Sequence, residues 1–141
     1  MGSQSTEFGP EVTDVVSDPT LAEGDILAHS RGQVSINLRY YLEKCECFSE
    51  WQKRDLQKFT ATIGKLKNYT YLKLRVNENL CKIHKGKPNE ARFKRPTEIS
   101  EDIRFYEIIV DPSNKARIHG FFIADTFFLV WLDRNHRCFR S

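Results

Sequence analysis

Residues 103–132 read IRFYEIIVDPSNKARIHGFFIADTFFLVWL. Three runs rich in β-branched and aromatic residues, Ile103 to Val110, Ala116 to Ile123 and Phe127 to Leu132, are parted by Asp111-Pro112-Ser113-Asn114 and by Ala124-Asp125-Thr126. Runs of this kind read as strands, and connections this short with turn composition force neighbouring strands to run antiparallel. A C-terminal β-meander follows. It sets the fold class as α+β, with an N-terminal strand and one or two helices packed on the meander.

Upstream, Val34, Ile36, Leu38 and Tyr40 alternate with polar or amphipathic neighbours, which predicts a half-buried first strand. Ser49-Glu50-Trp51-Gln52 has the form of a capping box and places a helix start at Ser49. Trp51, Leu56, Phe59, Ile63 and Leu66 then recur at helical spacing as a core stripe. Tyr69, Leu72 and Val76 suggest a second helical stretch from about Thr70 to Asn77, although Leu72, Leu74 and Val76 also alternate as a strand does. With Gly86, Pro88 and Pro96, residues 81–98 read as an irregular, exposed, strongly basic loop.

Hydrophobic residues make up 40% and charged residues 29% of the 141, the balance of a folded globule rather than a disordered chain. Residues 1–30 carry six acids, no Lys or Arg and no sustained period, so they read as a flexible acidic tail ahead of a single domain over 31–141. That division leaves all 22 Lys and Arg in the domain against 13 acids, an excess of nine that favours polyanionic partners. The longest apolar run, Phe127 to Leu132, is far short of the roughly 20 residues of a membrane helix. Without a visible secretory signal, a cytoplasmic location and free thiols at Cys45, Cys47, Cys81 and Cys138 are expected. The pairs Cys45-x-Cys47, Cys81-x-x-His84 and His136-x-Cys138 lack the repeated C-x-x-C of a zinc site, and no metal or cofactor is assigned.

Period-2 geometry puts Arg117 and His119 on one face of the middle strand with Phe121 and Ile123, either as part of a site or simply facing solvent. His136 lies just past the last strand, as a proton donor near the sheet or as a turn residue bonded to Asp133. Cleaving RNA by 2′-hydroxyl attack needs a proton acceptor, cations for the charge developing at phosphorus and an acid for the leaving oxygen. The chain offers Arg117 as the cation, His119 or His136 for proton transfer and Glu107 as a candidate base. Lys82, Lys85, Lys87, Arg92, Lys94 and Arg95 would grip the RNA, with Tyr106 and Phe93 as stacking platforms or as core.

The order strand, amphipathic helix, short helix, basic loop and three antiparallel strands resembles the RelE/ParE superfamily of bacterial toxin-antitoxin toxins. The strand beginning Ala116-Arg117-Ile118-His119 is similar to the Arg-bearing central strand of those toxins, and His136 after the last strand resembles the ending of the YoeB branch. In that branch an aromatic follows the His directly, whereas here Arg137 follows and the next aromatic is Phe139. The resemblance implies a RelE-like domain, a metal-independent endoribonuclease (an mRNA interferase) acting on mRNA, including ribosome-bound mRNA, no cofactor and a cognate antitoxin. The alternative is a non-catalytic module of ParE type that binds nucleic acid or protein through its basic surface.

Overall fold

The structure is a computed structural model that describes residues 32–84 and 86–139. The acidic segment over residues 1–30 lies outside them. Five strands, β1 (Ser35–Asn37), β2 (Cys81–His84), β3 (Phe105–Ile109), β4 (Arg117–Ile123) and β5 (Thr126–Asp133), form one mixed sheet in the order β1-β5-β4-β3-β2. The meander β3-β4-β5 is antiparallel, as its turns require; β2 extends it antiparallel to β3, and β1 pairs parallel with β5 at the opposite edge. A 3-10 turn (Phe48–Glu50) precedes α1 (Lys53–Leu66) and the short α2 (Tyr71–Arg75). The described residues are therefore α+β, with two helices and a mixed sheet.

Alternation along the strands gives the sheet two different faces. Ile108, Ile118, Leu129 and Leu132 pack with Leu66, Leu74 and Trp51 in the core on the helical side. Phe105, Phe121, Val130 and Trp131 build a second core on the other side, closed by Phe93 and Ile99 from the long connection and by Cys138 and Phe139 from the C-terminal segment. The same period-2 rule puts Lys82 and His84, Glu107, and Arg117 and His119 on this second face.

Several expectations are corrected by local hydrogen bonding. The first strand is only three residues long, because the Asn37 side chain accepts from Arg39 N at 2.8 Å and turns the chain out of the sheet. Glu50 accepts from Cys47 N and so belongs to a capping box of the 3-10 turn, while Asp55 accepts from Gln52 N and starts α1 four residues later than Ser49. Trp51 lies in extended backbone between the two and cannot set the phase of the helix. The buried face of α1 is accordingly Asp55, Thr62 and Leu66, with Thr62 Oγ1 donating to Val110 O at 2.9 Å. Leu56 and Ile63, expected in the core, stand 37% and 42% exposed. Residues 81–84, expected to be loop, are the edge strand β2.

In the β4-β5 ladder the register shifts between His119 and Gly120, and Val130 is the extra residue. A Cβ on Gly120 would stand 2.0 Å from Phe128 O, so only glycine fits against the bulge. Gly64, exposed within α1, has nothing within 4 Å of an added Cβ. Urea denaturation is expected to show Gly120→Ala losing at least about 2 kcal/mol and Gly64→Ala gaining up to about 1 kcal/mol. Equal stability of the two variants would contradict this packing.

Candidate active site

Glu107 lies in the middle of the second face, where its register partners are Lys82 on β2 and His119 on β4. It is 1% exposed. A buried carboxylate is tolerated only when charged or hydrogen-bonding groups replace its water. Three elements supply them: His84 Nε2 from β2 and His136 Nε2 from the segment after β5 each lie 3.0 Å from Oε1, and Arg117 Nε from β4 lies 3.3 Å from Oε2. Burial pushes the Glu107 carboxyl up, but the His84 hydrogen bond and the charges of His119, His136 and His84 outweigh it and bring it down to about 2.

An ionised carboxylate only accepts, so each of these imidazoles donates its Nε2–H to Oε1, which leaves Nδ1 as the basic nitrogen of either ring when neutral. The rings themselves reach the surface, His84 at 16% and His136 at 27% exposure. Phe139 stacks on His84 with centroids 4.5 Å apart and 6° between planes, which fixes that ring against the sheet. Arg117 is held by three carbonyls, with Nη1 donating to Asp111 O, Asn114 O and Ala116 O at 3.1, 3.0 and 2.9 Å. The β3-β4 turn thus clamps the guanidinium beside Glu107.

The structure brings together Arg117, His136 and Glu107 from the residues singled out in the sequence, and adds His84. His119 is placed differently: it is fully buried beneath the cluster, with Nε2 2.8 Å from Asp133 Oδ2, and is closed to a substrate. Of the expected RNA-binding residues, Lys82, Lys87 and Lys94 are exposed, and Lys87, Lys94 and Arg95 line a cleft of about 680 Å³ that opens beside His84. Arg92 pairs with Glu90 at 2.8 Å and lies over the Phe93 ring, while Arg95 donates to Ser100 O and Ile103 O, so both brace the connection they belong to. Lys85 lies outside the described residues. Phe93 is buried, and Tyr106 faces the helical side, where its hydroxyl meets that of Tyr71 at 2.7 Å.

The cysteine pairs do not combine into a site. Cys81 and His84 point to opposite faces of β2, and among the described residues no group of three or more His, Cys, Asp or Glu is arranged to hold a metal ion. Burial pushes the thiols of Cys45 and Cys81 up to about 11 and about 12. Among the described residues no helix is long and apolar enough to cross a membrane.

No protein-family model, curated protein or solved structure matches the chain. The functional reading therefore rests on side-chain geometry.

The folded value of Glu107 lies below its ordinary 4.5, so its ionisation stabilises the fold above about 4.5 and that contribution is lost as pH falls toward about 2. The loss amounts to roughly 3 kcal/mol. Denaturation at stepped pH is expected to show Glu107→Gln less stable than the parent at pH 6, with the gap closing on acidification. A gap that is constant with pH would contradict the ionised, paired carboxylate.

Proposed function

We propose that the chain cleaves RNA by attack of a 2′-hydroxyl on the adjacent phosphodiester, with His84 and His136 as the proton-transfer pair. The observation that carries this reading is the convergence of two partly exposed imidazoles on one buried carboxylate oxygen, beside a guanidinium. Glu107 is too sealed to meet the hydroxyl, and a carboxylate ionised down to about 2 is a poor proton acceptor near neutrality. Its role is to orient: it holds the Nε2–H of both rings and turns Nδ1 toward the reaction, as the carboxylate of a catalytic triad does for one histidine. Neutral His84 takes the 2′-hydroxyl proton, and protonated His136 gives one to the departing 5′ oxygen. The 2′ oxygen bonds to phosphorus as the bond to the 5′ oxygen breaks, which yields a 2′,3′-cyclic phosphate and a 5′-hydroxyl.

Arg117 and the two rings offset the carboxylate and leave the site cationic when both rings are protonated, which suits the charge gathering on phosphorus. The cleft beside His84 is of a size to take a nucleoside, and the exposed Lys87 and Lys94 on its wall, with Lys82 beside Glu107 in the sheet, supply cations for a phosphate backbone. A RelE-like, toxin-type mRNA endonuclease held by an antitoxin in the cytoplasm extends the same proposal; it is supported by the element order and by the placing of Arg117 and His136 at one site.

An oligoribonucleotide incubated with the protein in chelator is expected to yield cyclic phosphate ends, and the same oligomer with a 2′-deoxy sugar at the scissile position is expected to stay intact. His84→Ala and His136→Ala should each lose roughly 10²- to 10⁴-fold in kcat while remaining folded by circular dichroism. The reaction needs one ring neutral and the other protonated, so kcat/KM should follow a bell-shaped pH curve. Cleavage of the deoxy-substituted oligomer, or full activity in both alanine variants, would overturn the reading. Salt-dependent RNA binding without cleavage would favour the non-catalytic module instead.

A further inference from the structure

His136 lies in left-handed backbone, with φ +57°, a conformation that costs a non-glycine residue energy and persists only where the surroundings impose it. Two buried carboxylates outside the Glu107 cluster bond the backbone that flanks His136. Asp133, at the end of β5, is fully buried: its Oδ1 accepts from Arg137 N at 2.8 Å, and its Oδ2 accepts from Cys138 N at 2.8 Å and from the His119 ring. Glu46, 3% exposed and ahead of the 3-10 turn, accepts through Oε2 from Arg134 N and from Trp51 Nε1, both at 2.7 Å.

Backbone N–H groups two residues before His136, at Arg134, and just after it, at Arg137 and Cys138, are therefore held by buried carboxylates. His136 N itself closes a turn onto Asp133 O at 3.4 Å. A further bond, from Asn89 N to Cys138 O at 2.7 Å, ties the segment to the connection that lines the cleft. Arg92, in that same connection, lies 3.5 Å from Glu46 Oε1. The cleft wall and the His136 segment thus share one frame.

We propose that Glu46 and Asp133 are positioning residues for His136, and that His119 supports His136 through its bond to Asp133. Together they hold the left-handed turn that delivers the imidazole to Glu107. This rests on the RNA-cleaving reading for its effect on rate, but its effect on conformation stands apart from that reading. Sub-ångström placement of a proton donor controls the reaction step far more than ground-state binding, so the loss belongs in kcat.

Glu46→Gln and Asp133→Asn keep the shape of each side chain but remove the charge that strengthens its backbone hydrogen bonds. Two readouts are taken on each folded variant: kcat and KM on an oligoribonucleotide, and the one-bond Cα–Hα coupling of His136, which separates left-handed from extended backbone. Expected are a fall in kcat of about tenfold to a hundredfold, KM within about twofold of the parent, and a shift of the coupling away from the left-handed value. Should Asp133→Asn fail to fold, Glu46→Gln carries the test. A parent protein without ribonuclease activity would sink the functional reading and leave the coupling to decide the frame. Parent-like kcat together with an unchanged coupling in Glu46→Gln would overturn the inference.

Discussion

A carboxylate sealed into the middle of a β-sheet has to be compensated, and Glu107 is that carboxylate. Leaving such a charge without partners costs several kcal/mol after relaxation, of order a third or more of the stability of a small domain. The compensation comes from His84, His136 and Arg117, which are far apart in the chain and lie on an edge strand, a C-terminal segment and a central strand. One electrostatic requirement therefore fixes where three pieces of backbone must sit. The groups that satisfy the buried charge are also those to which the proposed reaction assigns proton transfer and the phosphate.

The rest of the molecule divides into support for that arrangement. On the helical face, α1, α2 and the apolar side chains of the meander form a core that backs the sheet on the side away from the site. On the other face, among the described residues, the sheet is covered by loops and not by helices, and this leaves room for a cleft next to the charged cluster. Phe139 belongs to both tasks: it caps the aromatic core and it stacks flat against His84. Removing water from one side of the imidazole while leaving the other open suits the proton transfer proposed for His84.

The meander was legible because its signal is local. Period-2 alternation and short turns between Ile103 and Leu132 lie within one stretch, and Arg117 with Glu107 follows from strand pairing. His136 was legible as the histidine just past the last strand. His84 was not, because Gly86 and the two prolines that follow hide a four-residue edge strand whose order comes from pairing with β3 and not from its own sequence. The phase of α1 was misread for a related reason: Trp51 looks like the first residue of the stripe, yet it is buried by a bond to Glu46 before the helix begins. His119 showed the opposite failure. Its spacing from Arg117 put it on the right face, but no spacing rule says that a neighbouring strand will offer Asp133 to bury it.

Everything chemical depends on both imidazoles giving their Nε2–H to one oxygen of Glu107. The ¹⁵N chemical shifts of the neutral His84 and His136 rings report the tautomer of each directly. The account requires Nε2–H in both rings of the parent protein and a mixture of tautomers in both when Glu107 is replaced by Gln. An Nδ1–H tautomer in either parent ring, or rings indifferent to the loss of the Glu107 charge, would contradict it.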